Sequence, residues 1–103
     1  MRHARPAALD QLEPLLARLR AIEGLKEKSR GVFYRGAKAF LHFHEDPAGL
    51  FADIRAADGT GFERLKVDEA ADQDALARMA DERAKVSRSL GNSIESESLL
   101  RRR

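Results

Sequence analysis

The first quarter of the chain carries apolar residues at helical spacing. The stripe recurs every three or four residues and consists of Leu9, Leu12, Leu15, Leu16, Leu19 and Ile22. This period predicts an amphipathic helix over residues 7–23, with Gly24 at its end. A proline is favourable only in the first turn of a helix. Pro14 therefore indicates that the helix begins near Asp10 or that an earlier turn is kinked there.

From Gly31 onward, apolar and polar residues alternate, and aromatic and β-branched side chains become frequent, as is typical of strands. Turn-forming residues at 35–38, 45–49 and 58–61 separate the alternating segments. The segments predict four antiparallel strands in a meander, at residues 32–34, 39–44, 50–55 and 62–67. In the second strand we expect two faces: Ala39, Leu41 and Phe43 on one, and Phe40, His42 and His44 on the other.

A second helical stripe follows the strands, with Asp68 and Asp72 as candidate N-caps. The stripe continues to about Leu90, and Gly91 is expected to end it. Residues 92–103 are serine-rich and charged and finish in three arginines, which predicts a flexible or partner-dependent basic tail. The fold class is therefore predicted as α+β: an N-terminal helix, a four-stranded antiparallel meander and a C-terminal helix, forming one domain over residues 1–91.

Composition limits the possible classes of protein. With 103 residues, of which 43% are apolar, the chain can form one core. The 19 basic and 17 acidic residues nearly cancel, so any argument for an anionic partner depends on where the charges lie. The chain has no cysteine, no signal-peptide pattern and no apolar run long enough for a membrane span, and we expect a cytoplasmic protein without membrane contact. No catalytic or cofactor-binding motif is present, so we expect no cofactor and a binding domain rather than an enzyme.

The predicted sheet has one face on which basic and aromatic residues are interleaved. Such a surface can hold phosphates and stack bases, so the leading hypothesis is a domain that binds nucleic acid or another anionic partner. The alternative is that the basic side chains merely cover exposed aromatic rings. The candidate residues are Arg35, Lys38, Phe40, Phe51, Arg55, Arg64 and Lys66.

The string at residues 42–46 suggests a second kind of site. Two histidines two positions apart on a strand point the same way, and carboxylates lie near them, so a metal or small ligand could bind there. The candidates are His42, His44, Asp46 and Asp53. Alternatively, the histidines line a half-exposed face and pair with Asp53 across strands. His3 is expected in a mobile terminus. A third hypothesis is a homodimer formed through the mixed sheet face or the edge strands.

Residues 19–55 carry several family-like signals: a leading helix, the segment Gly24-Leu25-Lys26-Glu27, Phe33 in a strand, Gly36-Ala37-Lys38 followed by Phe40, and a strand opened by Gly49-Leu50. In these features the chain resembles the small bacterial MmcQ/YjbR-like proteins, and it is similar, less closely, to YdhG-like proteins. The resemblance implies an α+β fold and, for the first family, a proposed DNA-binding role. The chain departs from this pattern in residues 60–74, which lack the expected aromatic- and asparagine-containing segment.

Overall fold

The structure, a computed structural model, describes the backbone of residues 2–96 and the side chains of residues 2–85. Within residues 2–96, three helices and six strands follow one another. The helices are α1 (Pro6–Gln11), α2 (Glu13–Arg20) and α3 (Ala70–Ser96). The strands are β1 (Arg2–His3), β2 (Lys26–Ser29), β3 (Val32–Arg35), β4 (Lys38–Asp46), β5 (Gly49–Arg55) and β6 (Phe62–Lys66). The α+β class is confirmed.

All strands belong to one antiparallel sheet, whose order is β2-β3-β4-β5-β6, and β1 pairs with β4. The predicted meander corresponds to β3–β6, but the predicted number of four strands was wrong. The two additional strands lack an apolar alternation that the sequence could reveal. β2 reads Lys-Glu-Lys-Ser and lies at an edge, where charged residues are common. β1 has two residues and occupies the part of the β4 edge that lies beyond β3.

The predicted N-terminal helix is two short helices with Leu12 between them. Pro14 lies in the first turn of α2, where its missing N–H group costs no hydrogen bond. The kink therefore lies where Pro14 indicated it. Both helices direct their leucines into one core, where Leu12, Leu16 and Leu19 are fully buried.

The core lies between one face of the sheet and the three helices. The sheet contributes Phe33, Leu41, Phe43, Leu50, Ala52 and Ile54, and α3 contributes Leu76, Ala77 and Ala80. Alternate residues of the central strands face the other way, on a surface that we call the outer face. Among the described residues, the buried side chains of all three helices pack against the face of the sheet that forms the core. The outer face therefore has no helix over it.

A β-bulge corrects the predicted position of Phe40. Phe33 pairs with Leu41, but the next residue, Tyr34, pairs with Ala39, so the register skips Phe40. The extra residue turns Phe40 away from His42 and into the core, where it is 3% exposed. Strict alternation along β4 could not predict the inward position of Phe40. The residues on one side of a bulge point to the face opposite to the one that alternation assigns to them.

The C-terminal helix also differs from its prediction. α3 continues through Gly91 to Ser96, since a single glycine weakens a helix by only about 1 kcal/mol and does not end it. Residues 97–103, and with them the terminal arginines, lie outside the described part. Asp68, one of the two candidate N-caps, accepts hydrogen bonds from Leu50 N and Lys66 Nζ.

None of the helices in the described part has both the length and the apolar character needed to cross a membrane.

The close packing of α1 against the sheet can be tested by alanine substitutions at two glycines. Gly31 and Gly59 have similar positive φ angles, +79° and +82°, which side chains rarely adopt. A Cβ atom at Gly31 would lie 2.8 Å from Leu9 Cδ2, whereas one at Gly59 would meet nothing within 4 Å. We expect Gly59→Ala to cost ~1–2 kcal/mol from backbone strain and Gly31→Ala to cost a further ~1–3 kcal/mol from overpacking. Equal losses in urea unfolding would contradict this packing.

Because the bulge turns Phe40 into the core, replacing Phe40 and replacing Phe62 should affect stability differently. Phe40→Ala should lower the free energy of unfolding by ~3–5 kcal/mol, because it leaves a cavity in the core. Phe62 is 42% exposed, so Phe62→Ala should cost much less, about 1 kcal/mol or below. Both values can be measured by urea denaturation of the full chain. Similar small losses for the two variants would place Phe40 on the surface instead.

Candidate functional site

The outer face carries the interleaved basic and aromatic residues that the alternation predicted for β5 and β6. The register of these strands pairs Phe51 with Lys66, Asp53 with Arg64 and Arg55 with Phe62. Two of the cations lie over rings: Arg55 Cζ is 4.5 Å from the Phe62 centroid, and Lys66 Nζ is 5.5 Å from that of Phe51. These contacts stabilise the face, and Phe62 is still 42% exposed.

Two of the predicted anion-binding cations are already paired with carboxylates. Arg64 donates to both oxygens of Asp53, at 2.7 and 2.8 Å, in the fork geometry that suits a guanidinium. Lys66 donates to Asp68 and to the carbonyl oxygen of Ala48. A phosphate at either position would have to displace an existing partner. Arg64, Lys66 and Phe51 are therefore poor candidates for an anion site.

The remaining predicted residues come together elsewhere. Arg35, Lys38, Phe40 and Arg55 line a pocket of about 210 Å³ at the end of the sheet, and α3 adds Arg83 to it. We call this the basic pocket. It lies between the β3–β4 turn, the end of β5 and the following loop, and its other lining residues are Ala39, Ala56, Ala57 and Gly59. Among the described residues, those that line this pocket include no aspartate or glutamate.

The four cations of the basic pocket differ in how they are held. Arg55 donates two hydrogen bonds to the carbonyl oxygen of Ala39, at 3.1 and 2.7 Å, which leaves three of its five N–H groups unused by this contact. Arg83 donates to the carbonyl oxygen of Arg55 and pairs with Glu63. Within the described part, Arg35 and Lys38 form no ion pair, and the buried Nε of Arg35 has no hydrogen-bond partner.

A second group of functional side chains lies on the outer face around β4. Strand pairing places His42 opposite Asp53, and β1 places His3 opposite His44. We call His3, His42, His44 and Asp53 the histidine cluster. The three imidazole centroids lie 5.0–5.8 Å apart, and the metal-ligand atoms of His42, His44 and Asp53 lie within 4.8 Å of one another. Two of the four predicted metal candidates thus meet Asp53, as the strand arrangement suggested.

Asp46, the fourth predicted metal candidate, is not brought into the histidine cluster. Its Oδ2 accepts a hydrogen bond from the backbone N–H of Ala48, at 3.1 Å, within the β4–β5 turn. This is the usual role of an aspartate at the start of a turn. His3, by contrast, was expected in a mobile terminus, and that expectation was wrong because β1 pairs with β4.

Several nitrogen atoms of the histidine cluster are buried without hydrogen bonds: Nδ1 of His42 and both ring nitrogens of His44. His44 Nε2 lies 3.1 Å from Asp53 Oδ2, which is close enough for an ion pair, but the alignment does not meet that of a hydrogen bond. Buried polar atoms are normally satisfied, because leaving one unpaired costs ~1–3 kcal/mol. The cluster therefore has donor or acceptor capacity that the described residues do not use.

The electrostatics of the cluster favour a neutral His42 beside a charged Asp53. Burial lowers the pKa of His42, and the neighbouring His44 lowers it further, against the attraction of Asp53. The hydrogen bonds from Arg64 lower the pKa of Asp53 and outweigh the effect of its burial. Asp53 is only 7% exposed, so Arg64 is needed to keep it ionised there.

Two site residues, His3 and Arg83, were not among the site candidates predicted from the sequence. His3 belongs to a strand of two residues, which is too short to show a period. Arg83 could have been predicted, because it occupies a position in the apolar stripe of α3. An arginine at such a position indicates that its guanidinium has a polar partner near the core. Its guanidinium extends from the helix to the carbonyl oxygen of Arg55. An arginine at such a position is a better indicator of a site than a charge on an exposed face.

Neither a family model, nor a curated protein, nor a solved structure matches this chain. The resemblance to MmcQ/YjbR-like proteins stays a prediction.

The lowered pKa of His42 predicts a pH dependence of stability. Between its folded pKa and the ordinary value of 6.5, the unfolded chain binds more protons than the folded one, so stability should fall as pH falls through 6.5. The pKa of Asp53 lies below 3.8, so this carboxylate does not titrate in that range. Between about pH 7.5 and about pH 5.5, His42→Gln should lose less stability in urea unfolding than the unmodified protein. Equal losses would exclude His42 as the responsible group.

Proposed function

We propose that this protein is a binding domain for an anionic partner, with the phosphate groups of a nucleic acid as the first candidate, and that the basic pocket is the contact site. The observation that carries the proposal is the composition of the pocket, in which Arg35, Lys38, Arg55 and Arg83 converge. Four cations from three parts of the fold, the β3–β4 turn, the end of β5 and α3, repel one another, so an anion between them would relieve that repulsion.

The free hydrogen-bonding capacity of the pocket supports the same ligand. Arg35 has a buried Nε without a partner, and Lys38 has no ion pair among the described residues. A phosphate oxygen could accept from Lys38 and from the unused N–H groups of Arg55, and the guanidinium of Arg35 adds donors and positive charge. Charge-assisted hydrogen bonds of this kind are stronger than those between neutral groups. Arg83 contributes less charge because it is paired with Glu63.

The size of the basic pocket suits a single chemical group of a larger ligand rather than a whole ligand molecule. Pockets for drug-sized ligands usually have ~300–1,000 Å³, whereas the basic pocket has about 210 Å³. It therefore suits one phosphate group of a larger partner. A chain of phosphates, such as a nucleic-acid backbone, could place one group in the pocket and pass over the neighbouring surface.

Phe62 provides that neighbouring surface. It is 42% exposed, and its ring is held from one side by the guanidinium of Arg55, which also lines the pocket. A base next to the bound phosphate could stack on Phe62, and stacking is worth ~1–3 kcal/mol per base. Because bases are free to stack only when unpaired, a single strand fits better than a duplex. The DNA-binding role implied by the MmcQ/YjbR-like resemblance agrees with this proposal.

The proposal can be tested by removing two charges from the basic pocket. We expect Arg35→Gln/Lys38→Gln to weaken the binding of a labelled single-stranded oligonucleotide about 10- to 100-fold, because two charge-assisted hydrogen bonds are lost. The slope of log affinity against log salt should become shallower by about 1.4. Fluorescence anisotropy of the full chain at low and physiological salt measures both quantities.

The matched control is Arg78→Gln/Lys85→Gln, which removes the same charge from exposed positions of α3. It should leave affinity within about 3-fold, since only distant electrostatic attraction changes. Phe62→Ala should weaken the single strand more than a duplex of the same sequence. If both double variants lose affinity equally, binding is a general polyanion attraction, and the basic pocket is not its site.

A further inference from the structure

We infer that His3, His42, His44 and Asp53 form a binding site for a divalent transition-metal ion that joins β1 to the centre of the sheet. This inference is independent of the anionic partner, because it concerns other residues and another ligand. The cluster offers three imidazoles and one carboxylate, which is the number of donors that a tetrahedral ion takes. Nitrogen donors without thiolates favour zinc, nickel, cobalt or copper over magnesium or calcium.

The distances in the cluster are close to those of a metal site. Each donor lies about 2.0–2.2 Å from a bound zinc ion, so two donors of one ion lie at most about 4 Å apart. The ligand atoms of His42, His44 and Asp53 are already within 4.8 Å of one another, and the ring of His3 lies 5.1 Å from that of His44 between centroids. The ligand atoms of His3 lie outside this group, so the His3 imidazole would have to rotate toward the other three donors to complete the coordination sphere.

The backbone of the sheet positions the donors rigidly. His42 and His44 point the same way because they are two residues apart on β4, and register places Asp53 opposite His42. Pairing of His3 with His44, together with the hydrogen bond from Ala4 N to Phe43 O, brings the third imidazole over the other two. Sites on paired strands are more precisely held than sites on loops.

The unused nitrogens are the observation that points to a ligand. Nδ1 of His42 and both ring nitrogens of His44 are buried and have no hydrogen-bond partner in the described part. A cross-strand pair between histidine and aspartate alone would satisfy one of these atoms and leave the others. Coordination to a metal ion would use a lone pair on each ring.

Arg64 does not prevent coordination. It donates one hydrogen bond to each oxygen of Asp53, and each carboxylate oxygen can accept about two. Asp53 could therefore bind a metal ion while Arg64 holds its orientation, as outer groups commonly do for metal ligands. Arg64 is a positioning residue in this arrangement.

The test is a titration of the full chain, without an affinity tag and without nucleic acid, with Zn²⁺, Ni²⁺, Co²⁺ and Mg²⁺. At a metal concentration about 100 times Kd, the first three ions should raise Tm by roughly 10 °C or more, and Mg²⁺ should not. Bound Co²⁺ should show the visible absorption of a tetrahedral ion. Hydrogen exchange at residues 2–5 should slow on binding, because the metal holds β1 on β4.

The variants His3→Gln and His44→Gln should each weaken Co²⁺ binding at least ~10-fold. Asp46→Asn is the matched control, since this carboxylate ends β4 and accepts a hydrogen bond from Ala48 N in the following turn, and the variant should bind metal as the unmodified protein does. Arg35→Gln/Lys38→Gln should also retain full metal affinity, which separates this result from that of the basic pocket. Unchanged melting with every ion, or unchanged affinity of His3→Gln, would overturn the inference.

Discussion

The pairing of β4 with β5 is the constraint on which the rest of the structure depends. Leu41 lies opposite Ile54 and Phe43 opposite Ala52, so both strands bury their apolar residues against the helices. The same register places His42 opposite Asp53 on the outer face. A slip by one residue would expose the core side chains and bury the polar ones, so the hydrophobic effect selects the register strongly. The candidate site chemistry is in this sense a consequence of the packing of the core.

Asp53 is a buried carboxylate on the outer face, and burying its charge has a large electrostatic cost. A carboxylate at 7% exposure is stable only with compensation, and Arg64 provides this through two hydrogen bonds. Removing Arg64 would leave a buried carboxylate without its hydrogen-bonding partner, and it would also remove one cation that lowers the pKa of His42. The pairing therefore has a local structural role whether or not an ion binds, and it explains why an acid is tolerated at the centre of a strand.

The basic pocket and the histidine cluster are separate but in contact through one ring. Phe62 lies 5.1 Å from His42, measured between ring centroids, and the guanidinium of Arg55 lies 4.5 Å from the Phe62 centroid. Arg55 in turn donates to the carbonyl oxygen of Ala39, which also lines the pocket. The outer face is thus a connected set of aromatic and charged side chains.

The sequence by itself determined the α+β class, the kink near Pro14, the four strands β3–β6 and the meeting of His42 and His44 with Asp53, because these depend on local periodicity and on strand alternation. Only the tertiary structure decided the rest. β1 and β2 exist because β4 and β3 offer edges to pair with, and Phe40 turns inward because the bulge skips it. Likewise, the β3–β4 turn that carries Arg35 and Lys38 meets Arg55 and Arg83 only because three distant segments fold together, and no short-range pattern encodes those contacts.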